Sequence, residues 1–457
     1  MVNILRWLAT VLLLATTLAS TGVAQAQSQT GSALATTSDR APESPDLQLQ
    51  TAEQAYTLLV DHFEHPLASS ALLRAGWDQL TTDAADHKVP PPGALQILTG
   101  DRAADWEAVR AALSAYLSRP GTTLDTFTPA YAFIRGMVHF VDEGHTYFLD
   151  PQQYRDYQSW SRGDNTYVGI GISVSIRGPE PRIVQVFEGT PAEQAGLQRG
   201  DTLVRIDGKP VAGVHLDELT TLMRGPAGMP VQLTIRRGDD AQLFTVTIVR
   251  AEIHLQFVQE RMIDDDIGYV LLRGFPEPSV ADTLEQDIEG FEQQGVRGLV
   301  LDLRGNSGGR LDVGIRLLSH FLPAGTSIYE EIDRSGHDRL RYSRSGLEQF
   351  DIPLVVLVDG GTASMGEIFA SAVQEHGAAT IVGTTTAGSV AAAEIFGLPD
   401  GAGLQVTVYD IRAADGKELN RVGVAPDDVV DTEIDQLASG DDPVLSRAVD
   451  ILRNGGG

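Results

Sequence analysis

Val358-Asp359-Gly360-Gly361-Thr362-Ala363-Ser364-Met365-Gly366-Glu367 is the stretch on which the reading of this chain turns. It closes the apolar run Leu354 to Val358, which fits a buried strand. Two glycines then turn the chain. After them Ile368, Phe369, Ala372 and Val373 form one stripe at helical spacing, in a helix expected from Met365 to His376. A buried strand, a tight turn and a helix are the unit of a layered α/β fold. Ser364 falls where the helix begins, beside its free N–H groups and the positive end of its dipole. An oxyanion formed by attack from Ser364 would be stabilised by the Met365 N–H. From this segment alone, a helix cap by Ser364 or Thr362 is the simpler reading. It is not a Gly-x-Ser-x-Gly elbow, because Thr362 stands at the first glycine place.

A second strand and turn lie upstream, in Leu301-Asp302-Leu303-Arg304-Gly305-Asn306-Ser307-Gly308-Gly309. Gly308 and Gly309 can bring backbone N–H groups close to a substrate carbonyl, as further oxyanion donors. A phosphate loop is disfavoured, since no Lys-Ser/Thr pair follows. Ile267 to Leu272 and Ala379 to Val382 are further short apolar runs. Helical segments at Thr283 to Gln294 and Leu311 to Phe321 alternate with the runs, which argues a largely parallel sheet with covering helices over residues 253–435. Residues 436–457 read as a C-terminal helix and tail.

Residues 166–252 have a different texture, with short alternating strands beginning at Val168-Gly169-Ile170-Gly171-Ile172. Thr190-Pro191-Ala192-Glu193 reads as a capping box with proline at the first helical position. Leu216, Leu219, Leu222 and Met223 form one helix face. That order describes a small, partly open β-barrel with two helices. Residues 47–165 are mostly helical in pattern; Tyr56, Leu59, Val60 and Phe63 are one example. Their last helix ends near Asp142-Glu143-Gly144-His145-Thr146-Tyr147, where His145 stands as a plausible general base for a hydroxyl.

Residues 27–46 are polar and small, and read as a flexible linker. Ahead of them Arg6, the apolar run Leu8 to Leu18 and Ala24-Gln25-Ala26 read as a secretory signal peptide over residues 1–26. The mature protein is therefore expected to be exported, with no membrane span after cleavage. Its 34 basic and 62 acidic residues give a net charge of −28, which repels nucleic acid and anionic lipid. The chain has no cysteine, so disulfides, thiol catalysis and cysteine-based zinc sites are excluded. No spacing suggests a metal, and no cofactor is expected. The lysines are Lys88, Lys209 and Lys417.

These segments, in this order, resemble the carboxyl-terminal processing or tail-specific serine peptidases and their relative the tricorn protease. Residues 124–430 carry the resemblance. Phe133-Ile134-Arg135-Gly136-Met137 with Asp142 to Pro151 looks like the family's N-terminal segment. Gly169-Ile170-Gly171-Ile172 with Thr190 to Asp201 looks like its PDZ module. Asp302-Leu303-Arg304-Gly305-Asn306-Ser307-Gly308-Gly309 is similar to its strand and turn. Thr362 to Ile368 is similar to its nucleophile segment, and Gly423-Val424-Ala425-Pro426-Asp427 to its closing motif. The resemblance implies a multidomain α/β protein with a crotonase-like layered catalytic domain, and it makes Ser364 the nucleophile.

One position departs from the family. The processing proteases place a lysine base in a Gly-Lys-Gly turn after the serine. The matching turn here is Thr386-Ala387-Gly388-Ser389-Val390, with Ser389 in the lysine's place. The tricorn-like branch uses a histidine ahead of the PDZ module instead, and Gly144-His145 matches that segment. The expectation is therefore a Ser364–His145 endopeptidase with Met365, Gly308 and Gly309 as oxyanion donors. The family's acidic partner would fall at Glu418 or Asn420. Glu367, one turn after Ser364, is a further candidate whose simplest role is a solvated helix-face charge. The PDZ-like module is expected to capture unfolded or C-terminal peptides. Gly169, Ile170 and Gly171 would hold the carboxylate, and Leu216, Leu219 and Met223 the apolar side chain. The competing expectation is a catalytically inactive peptide-binding scaffold. Nothing in the sequence assigns an oligomeric state.

Overall fold

In a computed structural model, the described residues are 44–124, 126–161, 166–175, 180–214, 216–238, 243–254, 256–431 and 442–454. The expected signal peptide and most of the linker lie outside them. The apolar stripes of the N-terminal part become four helices, Pro45–His62, Ser69–Asp86, Arg102–Leu117 and Pro129–Val141. They bury Tyr56, Leu59, Leu72, Leu113 and Phe133 against one another. The same core takes in Phe148, Leu398, Leu404 and Val406, so it continues into strands that lie far along the chain.

The fourth helix ends at Asp142, whose left-handed backbone (φ 50°, ψ 46°) turns the chain sharply. Asp tolerates that region better than most residues. After the turn, Tyr147–Leu149 forms a strand that pairs antiparallel with Gly403–Ala413, Tyr147 opposite Gln405. A helical reading of this stretch does not anticipate it. Three residues are too few to display an alternating pattern, and pairing with a distant strand is what makes them extended.

The PDZ part is a sheet in the order Ile172–Ser175, Arg182–Val186, Thr202–Ile206, Pro230–Arg236 and Leu243–Val249, with Lys209–Pro210 joined to Thr202–Ile206. Helices Pro191–Gln194 and Leu216–Met223 accompany it. Proline opens the first helix as expected, but Thr190 does not complete a capping box. Its hydroxyl donates to Phe187 O at 2.6 Å, and Glu193 instead accepts from the Gly189 N–H at 2.7 Å. A ribbon of Thr166–Gly169 with Ala251–His254 brings the two ends of this part together.

The last part holds a six-stranded sheet in the order Val258–Ile263, Ile267–Leu272, Gly298–Asp302, Leu354–Val358, Ala379–Gly383 and Asp428–Val429. All its neighbours are parallel except the first pair. Helices Pro278–Gln294, Leu311–Phe321 and Met365–Glu375 pack on one face. Helix Pro443–Asn454 covers the other, setting Val444, Ala448 and Leu452 against Ile267, Val300 and Val355. Burial on both faces explains why these strands read as continuous apolar runs. The expectation of a mainly parallel sheet omits a second sheet, which is antiparallel. It joins Tyr147–Leu149, Gly403–Ala413, Ser327–Asp333 and Asp338–Tyr342, with Ala391–Gly397 also paired to Gly403–Ala413. No helix among the described residues is long and apolar enough to cross a membrane.

Candidate active site

Two parallel neighbouring strands, Gly298–Asp302 and Leu354–Val358, end side by side and deliver their turns to one place. The turns are fastened by buried polar groups. Asp359 Oδ1 accepts from Gly305 N–H and Gly361 N–H, both at 2.8 Å. Thr362, fully buried, donates its hydroxyl to Leu303 O at 2.7 Å. It is therefore a tie between the turns rather than a helix cap. Asn306, also fully buried, donates to Leu272 O and accepts from Gly308 N–H, each at 2.8 Å. Arg199 of the PDZ part pairs with the second oxygen of Asp359.

Ser364 stands at the head of helix Met365–Glu375 with φ 53° and ψ −121°. A non-glycine residue in that region carries strain of about 1–3 kcal/mol, and such strain clusters at functional sites. The elbow geometry is thus present although Thr362 replaces the glycine of the usual motif. Ser364 is half-buried. Its N–H donates to Ser389 O at 2.8 Å and to Glu367 Oε2 at 3.2 Å.

Around it lie the expected oxyanion donors. Met365 opens the helix, where the backbone N–H lacks an intrahelical acceptor. Gly309 is exposed, and its N–H has no protein acceptor among the described residues. Gly308 requires correction, because its N–H is already engaged by Asn306 Oδ1. The reason it must be glycine is different. A Cβ there would fall 2.6 Å from Ser364 Cβ and 2.9 Å from Met365 N, and its φ is +91°. Gly308 leaves open the space beside the serine.

Glu367 also requires correction. It is fully buried, not a solvated helix-face charge. Its carboxylate accepts from Thr386 Oγ1 at 2.5 Å, Gly388 N–H at 2.6 Å and Ser389 N–H at 2.8 Å, besides Ser364 N–H. Burial pushes its carboxyl above the ordinary value even against these donors. Glu367 therefore holds the Thr386–Ser389 turn onto the nucleophile turn.

That turn carries Ser389, the residue expected in the lysine's place. Lys88 and Lys209 are exposed, and Lys417 is exposed and paired with Asp415. The segment that reaches the turn instead is the one before Tyr147–Leu149. A Cβ built on Gly144 would lie 3.9 Å from Ser389 Oγ. The next residue, His145, has Nδ1 2.8 Å from Glu143 Oε1, and its own N–H donates to the same oxygen at 2.9 Å. Both side chains are largely buried, with 17% and 9% of their surface exposed. Burial opposes the charge of Glu143, but the hydrogen bond and charge of His145 and the hydroxyl of Thr407 hold its carboxyl below the ordinary value. An ionised carboxylate only accepts, so Nδ1 carries the proton and Nε2 is left as a lone pair.

Glu143 is the residue that sequence reasoning missed, although it stands two places from His145. Glu418 is exposed and its backbone pairs antiparallel with that of Arg412, and neither it nor Asn420 bonds to His145 among the described residues. The left-handed Asp142 supplies the fold-back that a family comparison does not reveal.

In the PDZ part, Ile172–Ser175 is an edge strand of its sheet. Just before it, Ile170 O accepts from Ala192 N–H at 2.8 Å and Gly171 O from Phe187 N–H at 3.0 Å. Gly169 pairs with Ala251 in the ribbon. Ile170 and Leu219 are buried in the core of the module, with Met223 packed partly buried against it. The Leu216 side chain lies outside the described residues.

Comparison with known proteins identifies two parts of the chain. Residues 266–430 match the model of Peptidase family S41, and residues 182–237 match a PDZ domain model. The chain is 34% identical over 350 residues to a carboxyl-terminal-processing protease of Synechocystis sp., covering 74% of this chain and 80% of that protein. It is 33% identical over 320 residues to a carboxy-terminal-processing protease of Bartonella bacilliformis, covering 69% and 72%. The photosystem II D1 C-terminal processing protease has a similar fold, with a TM-score of 0.61 at 23% identity over 84% of this chain and 93% of that one.

Proposed function

The chain belongs to the carboxyl-terminal-processing proteases of peptidase family S41, which are serine peptidases, and we propose that it is an exported endopeptidase using a histidine base. Ser364 is the nucleophile and His145 Nε2 takes its proton. The observation that carries this reading is the meeting of the Gly144–His145 segment with Ser389, whose carbonyl accepts the Ser364 N–H. Where the family has lysine, the chain has a short side chain with a histidine loop against it.

In the acylation step Ser364 Oγ bonds to the scissile carbonyl carbon as its proton passes to Nε2. Negative charge develops on the carbonyl oxygen, where Met365 N–H and Gly309 N–H are available. Collapse breaks the C–N bond, and the amine leaves with the proton from His145. Water then repeats the sequence on the acyl-enzyme. Glu143 orients the ring and offsets the charge it gains. Glu367 keeps the Ser389 turn against the nucleophile.

The PDZ part supplies capture. An extended peptide adds to the edge strand Ile172–Ser175 beside helix Leu216–Met223, with its carboxylate at the amides of Ile170 and Gly171. Its substrates are unfolded or C-terminal segments. Export rests on the signal-like residues 1–26.

Labelling with a serine-directed phosphonate tests the reading, with Ser364→Ala as control. Labelled wild type and unlabelled variant are the expected outcome. Unlabelled, inert wild type that still binds peptides would instead support the non-catalytic scaffold, the reading favoured by the missing lysine.

A further inference from the structure

The hydrogen-bond chain behind His145 runs in one direction, and its polarity can be assigned from chemistry. It starts at the backbone N–H of Thr407, which can only donate, and which reaches Thr146 Oγ1 at 3.1 Å. The Thr146 hydroxyl lies 3.2 Å from Thr407 Oγ1 and donates to it. The Thr407 hydroxyl then donates to Glu143 Oε2 at 2.5 Å. The other oxygen of Glu143 takes both N–H groups of His145. Each acceptor is fixed by the donor before it, since a carboxylate accepts only. Thr146 and Thr407 are 3% and 0% exposed, so water does not compete for these groups.

Both anchors of the His145 loop come from one strand. Gln405, two residues before Thr407 and on the same face, donates to His145 O at 2.9 Å and accepts from Tyr147 OH at 2.9 Å. The strand Gly403–Ala413 therefore grips the backbone of His145 through Gln405 and its carboxylate partner through Thr407.

We infer that Thr407 is a positioning residue for the reaction: its buried hydroxyl holds Glu143 in the one orientation that fixes His145 as the Nδ1–H tautomer with Nε2 free. This rests on the proposed role of His145 as base. Thr407 touches neither substrate nor the reacting atoms and acts only through Glu143. The charged groups that face Glu143 are His145 on its own loop and Glu64 from the segment after the first helix; Glu64 is itself faced by His65 and by Asp410 on the strand of Thr407. Glu64 is tied in by its backbone N–H, which donates to Thr407 O at 2.9 Å. Its Oε2 is buried without a hydrogen-bond partner among the described residues, a position suited to a neutral acid rather than a second charge.

Thr407→Val keeps the shape and removes the hydroxyl, and Thr407→Ser keeps the hydroxyl. The experiment measures kcat, KM and the pH profile of both in the full chain, with the histidine tautomer read by ¹⁵N NMR and the His145 signal assigned by its loss in His145→Gln. Thr407→Val is expected to lower kcat about 10- to 100-fold, the scale of one lost hydrogen bond to a charged group, with KM unchanged. Its acid limb should move to higher pH, because Glu143 loses a donor that matters most when it faces a neutral ring. Thr407→Ser should recover most of the rate. Wild-type NMR should show Nδ1–H, and Thr407→Val a mixture of tautomers. If Thr407→Val matches wild type in kcat and pH limb while His145→Ala is inert, the positioning role falls and the base stands. If His145→Ala is fully active, the base falls. An Nε2–H tautomer in the wild-type protein overturns the inference whatever the variants do, including a Thr407→Val that does not fold.

Discussion

Glu143 and His145 share one turn, with Nδ1 of the ring 2.8 Å from Oε1 of the carboxylate. A carboxylate behind an imidazole leaves the far nitrogen as a base and stabilises the cation formed when it takes a proton. Glu143→Gln replaces a pure acceptor by an amide that satisfies either tautomer. Activity is expected to fall by about 10²- to 10⁴-fold in a protein that still folds. Steady-state hydrolysis of an unfolded protein, beside thermal melting, checks this. Unchanged kcat would remove Glu143 from the mechanism.

Two acids around this turn should respond to pH with opposite signs. Glu143 is held below its ordinary value when folded, so the stability it contributes is present above the carboxylate range and is lost as pH falls through and below it. Glu64 is pushed up, chiefly by burial and also by the charges of Glu143 and Asp410, against the attraction of His65 and His145. Folding then favours its protonated form, and it costs stability as pH rises above the ordinary carboxylate value. Glu143→Gln should be less stable than wild type near pH 7, and Glu64→Gln more stable. Both differences should shrink on acidification below about pH 4. Denaturant unfolding at the two pH values reads the signs, and a Glu64→Gln protein less stable at pH 7 would contradict them.

Gly308→Ala should abolish turnover without unfolding the protein. The added methyl would lie 2.6 Å from Ser364 Cβ, inside the space the substrate carbonyl needs, and φ +91° adds strain. A loss of at least about 10²-fold in kcat/KM is expected for blocking the reacting centre. Wild-type kinetics would show that the carbonyl approaches from elsewhere.

The fold was legible where burial is two-sided or the stripe is long. The strands Ile267–Leu272 and Leu354–Val358 and the helix Leu311–Phe321 match their apolar patterns end to end. Ser364 was legible as a serine at a strand–turn–helix junction. Its strained backbone was not, because that turn is held by Ala363 N–H on Asn306 O, Thr362 Oγ1 on Leu303 O and Ser364 N–H on Ser389 O, contacts distant in sequence. Glu367 reads as a first-turn acid on a solvated face, and only the arrival of Thr386–Ser389 buries it. The strand Tyr147–Leu149 and the role of Thr407 depend on a pairing between residues at opposite ends of the chain. Periodicity carries no information about that pairing.

The PDZ part should discriminate peptides by their last group. Peptides ending in an apolar residue and a free carboxylate should bind more tightly than the same peptides amidated, since amidation removes the charge that the Ile170 and Gly171 amides would hold. Titration by fluorescence anisotropy with the Ser364→Ala full-length protein avoids cleavage. Equal affinities would place the carboxylate elsewhere.

Catalysis by Ser364 turns on the base. Hydrolysis of an unfolded protein by His145→Ala, measured beside wild type and Ser364→Ala, is the most direct test. Wild-type activity should require the unprotonated ring, so it should be lost on acidification and level off at higher pH. His145→Ala should lose activity by several orders of magnitude, about as much as Ser364→Ala, because a nucleophile and its base act as a unit. His145→Ala cleaving at the wild-type rate would contradict the assignment.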